Sequence, residues 1–218
     1  DGLLHLMSWQ EALRVYALFG LLSAALIRSL PRQRLTVTTK VTAPPLRNER
    51  RNGWLYAAFI ALFTFVSSGT STHLPEFIAS FGLPVTIGIL WGIGQTGARS
   101  LEVLAGARLT PFKLTLFTTL AMPVCFLIGL SSTRFAWCAA GFVLGFGAIN
   151  GLMTIVKANL PLELFSVGSY ARRTGMLLIP GQLTAAASPF ACAWLNKTLG
   201  IAGTMWVSTG LTLVIAGL

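Results

Sequence analysis

The chain has 218 residues, 54% hydrophobic and only 10% charged, with a mean hydropathy of +0.73. A soluble domain carries about 25% charged residues, so this inventory could not cover a soluble surface. The net charge is +10, but the cations lie in gaps between apolar blocks and form no basic-aromatic surface, which points to membrane topology rather than nucleic acid.

Several blocks approach the ~20 residues that cross a bilayer as a helix. The expected architecture is therefore all-α, a polytopic transmembrane helical bundle of about seven spans. Residues 1–8 read as a loop or the tail of an earlier segment. The first span is expected from Glu11 to Leu30, with Trp9 and Tyr16 suited to the interface and Arg28 and Pro31 closing it. Residues 31–53 follow as a basic linker with Pro44 and Pro45 at its middle. Further spans are expected at Trp54–Ser71, about Pro84–Leu104, Phe112–Leu130, Phe135–Val156, Thr174–Trp194, and Ile201 to Leu218. The absence of an initiator Met and an end within an apolar run suggest a fragment of a longer protein.

Lys and Arg alternate along the gaps: seven over 28–51, none over 72–83, three over 99–113, one at Arg134, three over 157–173, and one at Lys197. Rich gaps belong on the cytoplasmic side, and the parity holds at every gap. The 31–53 loop is thus expected in the cytoplasm, with anionic headgroups near residues 28–51 as a partner.

Glycines four apart (Gly88 and Gly92, Gly141 and Gly145, Gly147 and Gly151) mark close helix contacts. Gly203, Gly210 and Gly217 recur every seven residues and suggest a smooth packing stripe. Pro123, Pro180 and Pro189 should bend their spans.

Four spans carry polar stripes at helical spacing: Thr64, Ser67, Ser68 and Ser71, with His73 beyond; Trp91, Gln95, Arg99 and Glu102; Asn150, Thr154 and Lys157; and Gln182, with Thr184 and Ser188 on another face. The Ser and Thr residues read first as interhelical hydrogen bonds. The carboxamides of Gln95, Asn150 and Gln182 have more groups to satisfy and suit a water-filled pathway. Arg99 and Glu102, three apart at the end of an apolar helix, share a face and can pair. His73, followed by Glu76, offers proton coupling, against the plainer reading of a solvated loop histidine.

Cys125, Cys138 and Cys192 lie within apolar blocks and read as packing residues, neither disulfides nor metal ligands. With two histidines, no nucleophile elbow, no phosphate loop and no HExxH, no enzyme, catalytic residue, cofactor or metal is expected.

Gly94-Gln-Thr-Gly-Ala-Arg99-Ser-Leu-Glu102, closing at Arg108, resembles the loop motif between the eighth and ninth helices of the major facilitator superfamily of secondary transporters. This copy lacks the Asp that precedes the Arg in the fuller motif. The basic linker before Trp54 looks like that superfamily's central cytoplasmic loop. The runs Gly147–Phe165 and Tyr170–Gly175, with Pro180 and Ala187–Phe190, are similar to the tenth and eleventh helices of bacterial members. The resemblance implies helices six to twelve: 1–30 as the end of the first half, 31–53 as the linker, and 54–218 as a six-helix second half. It further implies alternating access for a small-molecule substrate, together with a first half, in a bacterial inner membrane. The expected pathway residues are Ser67, Ser71, Trp91, Gln95, Asn150, Thr154 and Gln182; the expected cytoplasmic gate is Arg99, Glu102 and Arg108. A seven-helix receptor and a non-transporting assembly subunit are the alternatives.

Overall fold

The computed structural model describes residues 8–29, 49–105, 110–165 and 170–218. Arg108 and residues 30–48 of the basic linker lie outside the described residues, as do the side chains of Trp9 and Tyr16. The chain divides into two compact units, residues 1–40 and 41–218. The first contains α1 (Trp9–Ser29), begun by a capping box in which Ser8 and Glu11 bond reciprocally.

The second unit contains α2 (Glu49–Thr72), α3 (Leu74–Ser80), α4 (Ile89–Leu104), α5 (Pro111–Leu130), α6 (Ala136–Leu164) and α7 (Tyr170–Ala216). No strand occurs among the described residues. Four helices are long and apolar enough to cross a membrane, over Arg50–Thr72, Pro111–Leu130, Ala136–Leu164 and Arg173–Ala216. By length and composition this is an integral membrane protein.

Local chemistry sets the boundaries. Pro75 ends the run of α2 and sits in the first turn of α3, where its missing N–H costs nothing. The short α3 was not expected from the sequence; it buries Leu74, Phe77 and Ile78 and so has a tertiary reason to be helical. Gly82 then turns with φ +73°, and a 3₁₀ turn over Val85–Gly88 leads into α4. Thr110 caps α5 by accepting from Lys113 N, with Pro111 next. The α6 helix continues beyond the expected Val156 to Leu164, carrying Pro161 within it.

The last two expected spans form one continuous assignment, α7, broken where Gly200 adopts φ 70° and ψ 176°. That backbone suits only glycine, so the break divides α7 into a first arm, 170–199, and a second arm, 201–216. Ser188, Cys192 and Leu195 of the first arm and Thr204, Val207, Ser208 and Leu211 of the second line one narrow crevice with α2. The arms therefore double back beside each other.

At the centre stands α6. Its Phe142 and Phe146 are fully buried and stack at 5.8 Å, and Phe126 of α5 meets them at 5.6 and 6.1 Å. On its other side, Gly147 and Gly151 let the backbones of Trp91 and Gln95 approach so closely that a Cβ would strike their carbonyls. Gly94 of α4 is likewise closed off by the carbonyl of Leu144. Of the glycine pairs expected at contacts, Gly147 and Gly151 thus hold the tight seam, and Gly145 and Gly141 approach Cys125 and Ile128 of α5. Gly92 and Gly210 face open space, so the sevenfold glycine stripe makes no continuous contact among the described residues.

One substitution tests the seam in both directions. Gly147→Ala should destabilise the folded protein by about 1–3 kcal/mol, because a rigid backbone occupies the space. Gly92→Ala, the same change in open space on the facing helix, should be neutral or stabilising by roughly 0.5–1 kcal/mol. Unfolding in mild detergent measures both; equal effects would refute the seam.

Candidate functional site

Two of the helices beside α2 carry internal prolines, and each proline leaves the carbonyl four residues earlier without its usual donor. For Pro161 in α6 that carbonyl is Lys157, and Tyr56 Oη of α2 donates to it at 3.2 Å. For Pro189 in α7 it is Ala185, and Ser68 Oγ of α2 donates to it at 3.0 Å. In both cases α2 supplies what its neighbour lacks.

The α2–α7 seam continues with Thr184 Oγ1 donating to Ala61 O at 2.9 Å and Ser188 Oγ donating to Phe65 O. Gly69 makes room, since a Cβ there would meet Ser188 and Cys192. At the far end His73 Nε2 lies 3.1 Å from Pro189 O, which can only accept, so this nitrogen carries a proton. Its Nδ1 lies 2.9 Å from Glu76 Oε2, to which Asn196 Nδ2 donates at 3.4 Å. The His73 side chain is 12% exposed and that of Glu76 61%. His73 is therefore packed between α3 and the first arm of α7, unlike a freely solvated loop residue.

The expected pathway residues divide into two groups. Ser67 of α2 donates to Asn150 Oδ1 of α6, and Asn150 Nδ2 donates to Phe146 O of its own helix at 2.9 Å. Trp91 and Gln95 meet α6 through their backbones at Gly147 and Gly151, beside Asn150. The Trp91 indole N–H is buried without a hydrogen-bond partner among the described residues. Ser67, Asn150, Trp91 and Gln95 thus gather where α2, α4 and α6 converge, with Ser71 half-buried one helical turn along α2 from Ser67. The second group lies apart: Thr154 is exposed and bonds its own helix at Gly151 O, 2.7 Å away, and Gln182 is exposed on the first arm of α7.

Arg99 does not pair with Glu102 in this state. Its Nε donates instead to Gly151 O at 3.3 Å, tying the end of α4 to α6, and Glu102 is half-buried beside it on the same helix. Lys157 Nζ lies 5.6 Å above the Phe63 ring, joining α6 to α2 by a cation–π contact. No group of three His, Cys, Asp or Glu side chains is arranged to hold a metal among the described residues.

Ser68, Thr184 and Ser188 were singled out by their spacing, but the partners of Tyr56 and Ser68 were not foreseen. A usable signal existed: an internal proline marks the carbonyl four residues before it as one that a hydroxyl on a neighbouring helix can answer. A double-mutant cycle checks this. Ser68→Ala should cost about 1–3 kcal/mol while Pro189 is present. With Pro189→Ala, which restores an amide to bond Ala185 O, the same change should cost markedly less. Additive unfolding energies would remove Ser68 from this role.

Against known protein-family models, curated proteins and solved structures, the chain finds no match.

Proposed function

We propose that the chain is the second half of a secondary transporter of the major facilitator type, moving a small solute by alternating access. One observation supports this reading: within residues 49–218, two successive sets of three helices meet each other through matching pairs of neighbours. Let one unit be α2, α4 and α5, and the other α6 with the two arms of α7. Then α4 packs on α6 as the first arm of α7 packs on α2. Likewise α5 packs on α6, through Phe126 and Phe142, as the second arm packs on α2. The two self-paired contacts, α2 with α6 and α5 with the second arm, join through Ser67 with Asn150 and Gly129 with Met205.

Because spans alternate in direction, α2 and α6 run in opposite senses. Inverted three-helix repeats of this kind are nested within each half of such transporters. The count of spans is part of the same proposal: the 3₁₀ turn at Val85–Gly88 extends α4, and the break at Gly200 turns α7 into two crossings. With α1 these make seven.

In this mechanism a first half closes over the second, Asn150 and Gln95 line the pathway from one group and the exposed Gln182 from the other, and the halves rock about a site near the midplane. Ser67, Ser71, Trp91 and Thr154 complete the candidate lining. Trp91, with its indole N–H free to donate, and Asn150 are the groups best placed to orient a polar solute. The gate comprises Arg99, Glu102 and Arg108; opening would exchange the bond from Arg99 to Gly151 for a pair with Glu102. His73, in contact with both Glu76 and Pro189 O, is the candidate for proton coupling. The basic linker would face the cytoplasm of a bacterial inner membrane.

Accessibility tests the assignment in the full-length protein. With Cys125, Cys138 and Cys192 replaced by alanine, single cysteines at positions 95, 150 and 182 should react with polar thiol reagents. Transported solute should protect them severalfold. If positions 95 and 150 stay inert under all conditions, they are packing residues and the pathway lies elsewhere.

A further inference from the structure

A second cavity-bearing region lies outside the proposed pathway, at one end of the bundle. A cleft of about 420 Å3 opens where α2, α5, α6 and the second arm of α7 meet. That is within the roughly 300–1,000 Å3 of ordinary ligand sites. Its walls are Leu55 and Phe59 of α2, Phe112 and Leu116 of α5, Leu160 of α6 and Ile215 of α7, among others.

The polar residues of the cleft decide what can occupy it. Thr115 Oγ1 donates to Pro111 O at 2.7 Å, and Thr119 Oγ1 donates within its own helix to Thr115 O at 3.0 Å. Tyr56 Oη donates to Lys157 O. These hydroxyls are committed to backbone carbonyls and are not available to an occupant of the cleft. A sugar or peptide entering here would lose its hydration and gain few hydrogen bonds. Hydrocarbon would lose nothing.

The mouth is charged. Asn52 lies at the rim, directly after the exposed Arg50 and Arg51, and the exposed Lys113 follows Phe112. The acid on the described rim is Glu163, exposed on α6 between Leu160 and Leu164. Among the described residues of this end, the exposed Arg50, Arg51 and Lys113 thus stand against the one exposed acid Glu163. A hydrocarbon slot under a cationic rim has the two-part chemistry of one ligand class.

We propose that this cleft is a binding site for an anionic phospholipid, with an acyl chain between α5 and the second arm of α7 and the phosphate at Arg50, Arg51 and Lys113. The site is separate from the convergence of Ser67, Asn150, Trp91 and Gln95, and it does not depend on the transport reading. A bound lipid would fill the space between α5 and the second arm and hold both against α2 and α6.

Native mass spectrometry of the purified, delipidated protein, offered equal amounts of phosphatidylglycerol and phosphatidylcholine, tests it. The wild-type chain should retain phosphatidylglycerol in severalfold preference. Arg50→Ala, Arg51→Ala and Lys113→Ala should each lower that preference roughly fivefold, equivalent to about 1 kcal/mol per cation near a headgroup. Leu116→Trp, which fills the cleft without altering charge, should reduce retention, whereas Leu116→Ala, which enlarges it, should not. Three results would overturn the proposal: no preference in the wild type, a preference that survives loss of the three cations, or equal retention by the two Leu116 variants. The last would reduce the effect to general attraction between a basic surface and anionic lipid.

Discussion

A backbone carbonyl in hydrocarbon has no water to turn to, so every donor that a proline removes must be replaced from elsewhere in the protein. This chain places prolines inside α5, α6 and α7. Around Pro161 and Pro189 the replacement donors, Tyr56 and Ser68, come from α2. That requirement fixes the rotation of α2, because both hydroxyls must face their carbonyls at once. With α2 so turned, Ser67 reaches Asn150, and Ala61 and Phe65 present carbonyls to Thr184 and Ser188. The bundle's polar content is therefore spent largely on backbone groups.

The α4–α6 seam uses a different principle. Where α2 and α7 are joined by hydroxyls, α4 and α6 are joined by the absence of side chains at Gly94, Gly147 and Gly151. In lipid there is no hydrophobic gain from bringing two helices together, so contact area and hydrogen bonding must supply the attraction. One pair of helices is thus fastened by backbone proximity and the other by hydroxyls.

Much of the fold was legible in the chain itself. Long apolar blocks placed the helices of the bundle except α3, although α6 runs on from the expected Val156 to Leu164, because hydropathy is set by the solvent that surrounds a helix. The pair Gly147 and Gly151 was legible as a contact from its spacing. The very similar pair Gly88 and Gly92 was not distinguishable from it, although Gly92 meets nothing. Spacing tells which residues share a face of one helix and says nothing of what stands opposite. The polar stripes show the same limit, for Asn150 found Ser67 while Gln182 and Thr154 face outward from the described bundle.

By itself, then, the sequence determined the solvent and the helical class, since both follow from composition and period along one chain. It also carried, in its prolines, the positions of the carbonyls that needed outside help. Only the tertiary structure decided which hydroxyl answered each carbonyl, that Arg99 turns to Gly151 rather than to Glu102, and that a cleft with committed hydroxyls lies beneath a basic rim. Those outcomes depend on distances between residues far apart in the chain, and a one-dimensional pattern has no term for the helix across the gap.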